Sequence, residues 1–154
     1  MRSLIVIEAA GLALALSSIV WVLGIQAIGL LRSMPRARFL SLQMQLVRVW
    51  ARALAVITAV VATAATLRGG LEAWPAVAGA VAAAVSSGLA VPRALRAGAE
   101  SIRADTNEVS AGSFLVEGGG GATRLWHRVV LACVAVVVVG LSAEGSRLLS
   151  ALLP

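Results

Sequence analysis

Four stretches of this chain are too long and too apolar to belong to a water-soluble globule. A helix crossing a hydrocarbon layer about 30 Å thick needs roughly 20 apolar residues. Leu4 to Leu31 meets this requirement with a single charge, Glu8. Val49 to Leu67 carries only Arg52, and Trp74 to Val91 carries no charge. Leu125 to Leu141 opens on Trp126, His127 and Arg128 and is wholly apolar after them. Only Arg68, Gly69, Gly70, Leu71, Glu72 and Ala73 separate the second run from the third, a length that suits a tight helical hairpin. These runs predict an all-α, polytopic membrane four-helix bundle in one domain covering residues 1–154. A start near Ser33 and Pro35, residues suited to an N-cap and a first turn, extends helix two into the cytoplasm. Helix three is expected to continue past Pro92 towards Arg103, with a kink.

Composition points the same way. Charged residues make up 13% of the chain, against about 25% in an ordinary soluble domain. All 13 basic residues are arginine, which with the abundance of Ala, Gly and Val suggests a GC-rich genome; for the multi-pass chain a bacterial inner-membrane location is expected. Ala13-Leu14-Ala15 has the look of a signal-peptidase site, but the apolar run continues unbroken beyond it, and an uncleaved first span is expected. The arginines flank apolar runs, where they set orientation, so nucleic acid is not an expected partner. The expected partner is the lipid bilayer, with room for a second membrane protein or a homo-oligomer.

Arginine placement predicts the topology. Arg32, Arg36, Arg38 and Arg48 lie in the first loop, and Arg93, Arg96, Arg103, Arg124 and Arg128 lie in or beside the third. Arg2, Arg68 and Arg147 are left for the other side. Both basic loops are therefore expected in the cytoplasm and both termini outside. Trp50 and Trp126 then mark the inner interface and Trp74 the outer one. Residues 106–123, ending in the run Gly118 to Gly121, read as a flexible cytoplasmic linker. They lack the preceding strand and following Lys of a phosphate loop.

Helical spacing assigns the faces. Glu8, Gly11, Ala15, Ser18, Val22, Gln26 and Gly29 share a stripe of small and polar residues, which is expected to face the bundle because small residues let helices approach closely in lipid. Trp21 lies opposite. On helix two, Arg38, Ser41, Gln45, Arg48, Arg52, Ala59, Thr63 and Thr66 form a polar stripe, also expected to face protein. Helix three is Ala, Gly and Ser around a single ridge of Val77, Val81, Val85 and Leu89, which predicts a central position. Leucine at Ala80 or Ala84 should then disrupt packing, whereas leucine at Val137, on a helix expected to be more lipid-exposed, should do little.

Few residues could carry chemistry. Glu8 is expected near the outer end, either as an interfacial carboxylate reaching water or pairing with Arg2 or Arg68, or as a proton or cation site opening outward. Gln26, Arg52 and His127 form a candidate inner polar cluster, unless Arg52 simply extends to the headgroups. A lone histidine excludes bis-histidine haem, and the lone Cys133 excludes an internal disulfide. The residues give no catalytic, cofactor-binding or metal-binding set, and no cofactor is expected.

The long first span leads into Leu30-Leu31-Arg32-Ser33-Met34-Pro35, followed by Gln43-Met44-Gln45 and Arg48. Ala90-Val91-Pro92-Arg93 and Arg124-Leu125-Trp126-His127-Arg128 come later. In these segments the chain resembles the anthrone-oxygenase-like family of small four-helix membrane proteins and related families without a known function. The resemblance implies a four-helix bundle and oxygenase chemistry on a hydrophobic substrate, although no catalytic residue of that family maps onto a position here. The residues themselves favour a non-enzymatic scaffold or a subunit of a membrane complex. The alternatives are a small transporter or resistance-type protein, with Glu8 and Arg52 at opposite ends of a polar stripe, and a membrane enzyme acting on a hydrophobic substrate.

Overall fold

The computed structural model describes residues 2–22, 36–97, 99 and 121–152, with side chains for all of these except 36–44 and 121–123. The described chain is all-helical. Helix α1 covers Arg2–Val20 and α2 covers Arg36–Gly69. A 3-10 turn, Gly70–Ala73, leads into α3, Trp74–Val85, and α4 covers Gly121–Leu152. Among the described residues, 3 helical runs are long and apolar enough to cross a membrane: Arg2–Val20, Gln45–Ala97 and Arg124–Leu152.

The middle run bends at its 3-10 turn, so that α2 and α3 lie against each other. Gly70 sits there at φ +59°, a left-handed conformation that costs glycine nothing and most other residues about 1–2 kcal/mol. Pro75 follows in the first turn of α3, where its missing N–H leaves no helical bond unmade. Further along, Ser86–Ala90 widens into a π-type turn, and the N–H of Val91 donates to the Ser86 carbonyl. Helix then continues through residue 97, past Pro92. Proline removes a donor and crowds the carbonyl four residues back, and the wider turn takes up that misfit.

Each helix packs on the next, α1 on α2, α2 on α3 and α3 on α4, and α4 also touches α1. Glu8 pairs with Arg68 while Trp50 donates to Ser18, so α1 and α2 are antiparallel. Gly140 meets Pro75 while Arg93 covers Trp126, so α3 and α4 are antiparallel too. One end of the bundle therefore holds Arg2, Arg68 and Arg147, and the other holds Arg48, Arg52, Arg93, Arg96, Arg124 and Arg128. Leu12, Ile19, Leu54, Val61, Val137 and Leu141 fill the core, with alanines between them. Large apolar side chains on every helix face outward, among them Val6, Leu14, Val56, Val81, Leu131 and Val139.

The α1 face is as expected: Glu8, Gly11, Leu12, Ala15 and Ile19 are buried, and Trp21 is exposed. The α2 face is not. Arg52, Ala59, Thr63 and Thr66 are exposed, and the buried face is Ala51, Leu54, Thr58, Val61, Ala62, Ala64 and Ala65. Thr63 and Thr66 bond their hydroxyls to the carbonyls of Ala59 and Ala62 at 2.8 and 2.7 Å, which lets them face away from protein without an unmet polar group. Helix α3 lies between α2 and α4 and turns its ridge of Val77, Val81, Val85 and Leu89 outward. Ala84 is exposed, whereas Val137 on α4 is buried, the reverse of what composition led us to expect. Helix α4 begins at Gly121, inside the stretch read as linker, and runs on past Leu141. Ser33, Pro35 and residues 106–120 lie outside the described residues.

Candidate functional site

The end of the bundle formed by the start of α1, the 3-10 turn and the last turns of α4 holds every acidic residue described in the helices and turn. Glu8 and Glu144 are completely enclosed, with relative exposures of 0% and 1%. Arg68, in the last turn of α2, reaches between them. Its Nε donates to Glu8 Oε2 at 2.9 Å and its Nη2 to Glu8 Oε1 at 3.0 Å. The same Nη2 donates to Glu144 Oε1, also at 3.0 Å. One guanidinium thus joins three helices distant in sequence.

A second arginine extends the chain of contacts. Arg147 Nη2 donates to Glu72 Oε2 at 2.6 Å, and Arg147 Nη1 stands 3.4 Å from Glu144 Oε2. Glu72 projects from the 3-10 turn and is largely exposed. The order is Glu8, Arg68, Glu144, Arg147, Glu72, alternating in sign from the core to the surface. The bidentate bond between Arg68 and Glu8 uses the planar fork of the guanidinium, the strongest arrangement open to such a pair. Among the described residues no buried side-chain nitrogen or oxygen lacks a hydrogen-bond partner. Burying charge in an apolar bundle is costly unless it is paired and hydrogen-bonded, and each enclosed carboxylate here is both.

Local sequence explains the placement. Glu8 is the polar member of the small-residue stripe of α1, and Gly11, one turn on, lets α2 come so close that a Cβ there would stand 2.5 Å from Val61 Cγ2. Glu144 lies on the face of Val137, Leu141 and Leu148, one turn beyond Leu141, with Arg147 three residues further on. Of the two readings of Glu8, the pairing with Arg68 is present, and the carboxylate does not reach water. Sequence reasoning missed Glu144 and Arg147, which lie beyond the apolar run that ends at Leu141, and Glu72, which reads from the sequence only as part of the hairpin turn. The signal available was the spacing of Val137, Leu141 and Leu148, which carries one helical face through Glu144.

At the opposite end two members of the expected cluster, Arg52 and His127, are described. Arg52 and His127 are both exposed, and neither makes a hydrogen bond or ion pair to another described residue. Gln26, the third member, lies outside the described residues. What that end does show is Arg93, stacked with its guanidinium carbon 5.0 Å from the centre of the Trp126 ring, and Trp50, donating to Ser18 at 3.2 Å. Gly11 and Ala15, which a path along α1 needs open, are packed against neighbours. A groove between α3 and α4, with Trp74, Val136 and Val139 around Gly140, is wholly apolar.

Comparison of the chain with protein-family models, with curated proteins and with solved structures finds no match.

Proposed function

We propose that this is an integral protein of a bacterial inner membrane that crosses the bilayer four times and works as a non-enzymatic scaffold or subunit of a membrane complex. The α2–α3 hairpin supports the fourth crossing, since its two limbs each carry an apolar run and lie side by side. Separation of the arginines to the two ends supports cytoplasmic loops on the Arg48, Arg93 and Arg124 side and both termini outside. Large apolar side chains around the whole circumference suit contact with lipid or with another membrane helix.

The observation that carries the scaffold reading is the position of Arg68 between Glu8 and Glu144. Ionisable groups inside an apolar bundle are expensive and are kept for a purpose. Here their bonding capacity is spent on one another and on locking α1, α2, the hairpin turn and α4 into a single register. A buried polar network of this kind specifies one arrangement among many apolar packings of similar energy. A rigid body with an apolar exterior is what a structural subunit presents to its neighbours.

Native mass spectrometry of the full chain released from nanodiscs tests the proposal. A complex of defined stoichiometry, with itself or with another membrane protein, is the expected result. A strictly monomeric species at every lipid composition would overturn the scaffold role.

A further inference from the structure

The charges at the joint do not balance: three carboxylates, Glu8, Glu72 and Glu144, meet two guanidiniums, Arg68 and Arg147. Geometry separates the five groups unequally. Arg68 and Glu8 form one pair, held through two bonds of 2.9 and 3.0 Å. Arg147 and Glu72 form another, at 2.6 Å. Glu144 is the carboxylate left over. It takes one bond from an Arg68 nitrogen already serving Glu8, and its other oxygen faces Arg147 across 3.4 Å, the longest contact of the set. It is also enclosed, with 1% of its surface exposed, so water offers its charge little help.

We infer that Glu144 is a reversible proton-binding site: one of its carboxylate oxygens takes the proton as an O–H bond, and the other remains an acceptor for the arginines. With the proton bound, each arginine keeps one carboxylate and the joint carries no unpaired charge. With the proton released, Glu144 ties the two ion pairs together through charge-assisted bonds, which are about twice as strong as neutral ones. The hold of α4 on α1 and α2 is then tighter in the ionised form and looser in the protonated one. The charged groups around Glu144 are Glu8 on α1, Arg68 on α2 and Arg147 on α4 itself, with Glu72 of the 3-10 turn beyond Arg147. Helix α3 contributes no charged side chain between Trp74 and Val85, and Arg2 lies exposed at the start of α1. The proton exchanges beside Arg147, whose side chain is 32% exposed and whose firmer partner, Glu72, is at the surface.

The inference rests on reading the joint as the clamp of the bundle, but it fails or stands by a different measurement. Infrared titration of the full chain in nanodiscs reads the carboxylic-acid C=O stretch as the pH is lowered. One component of that band should be lost in Glu144→Gln. Its midpoint should fall by about half a pH unit in Glu72→Gln, which leaves Arg147 free to favour the ionised form, and should rise in Arg147→Gln. An acid band unchanged by Glu144→Gln would overturn the inference. So would a midpoint indifferent to Glu72→Gln, a surface substitution that leaves the Arg68 pair in place and remains readable even if Glu144→Gln does not fold. Either failure leaves the clamp standing, because the clamp is judged by unfolding of the Arg68 variants and the scaffold role by stoichiometry.

Discussion

Gly140 of α4 rests directly on Pro75 of α3: a Cβ added at Gly140 would collide with the Pro75 carbonyl oxygen and would stand 3.3 Å from the Gly79 nitrogen. The two backbones touch with no side chain between them. Gly140→Ala should therefore part α3 from α4 and destabilise the protein by about 1–3 kcal/mol, as overpacking does elsewhere. Gly145→Ala is the control, since a Cβ there meets nothing within 4 Å. It should be neutral or slightly stabilising, by up to about 1 kcal/mol from helix propensity. Thermal unfolding in mild detergent compares the two.

Val137 and Ala84 make a second pair with opposite expectations. Val137 is 1% exposed, and its backbone lies 3.7–3.8 Å from the Cβ position of Gly79. Val137→Leu has no space to enter and should cost about 1–3 kcal/mol. Ala84→Leu projects from the exposed side of α3 and should stay within about 0.5 kcal/mol. Equal unfolding midpoints for the two variants would contradict this packing.

Removing Arg68 should be more damaging than removing either carboxylate it serves. Arg68→Leu strands Glu8 and weakens the hold on Glu144, and stranding a buried charge costs about 3–5 kcal/mol. Glu8→Gln in the same chain takes away one stranded charge. The double variant should therefore unfold at a higher denaturant concentration than the two single effects added together predict. Strict additivity would mean that the two residues do not depend on each other.

The arginine distribution makes a topological prediction. A reporter placed after Pro154 should behave as extracytoplasmic, and one placed near Gly119 as cytoplasmic. The opposite pattern would invert the protein and place the Glu8–Arg68 joint at the cytoplasmic end. Reporters at both positions on the same side would remove a crossing.

How far the fold could be read from the sequence differs from helix to helix. The inward face of α1 was legible because its small residues and its one carboxylate fall on a single stripe. On α2 the same logic pointed the wrong way. Its threonines bond to their own backbone and so need no partner across an interface, while alanine, leucine and valine do the packing. Polarity marks an inward face only where the polar group cannot satisfy itself locally. Glu8 was recognisable as a site residue because it interrupts an apolar run. Glu144 interrupts nothing, since the fourth run has already thinned into Ser142 and Ala143 before it. Its partner Arg68 lies 76 residues away along the chain, a distance no local pattern spans.

Because every helix packs first on its sequence neighbour, the order of assembly can follow the order of synthesis. Arg68 meets Glu8 as soon as the second helix is made, and the pair is complete without anything further along the chain. Only when the last helix arrives does Glu144 reach the shared nitrogen, closing α4 onto α1. A ribosome that stops short of residue 121 would leave an open three-helix sheaf, in which no charge is yet unmatched between Glu8 and Arg68.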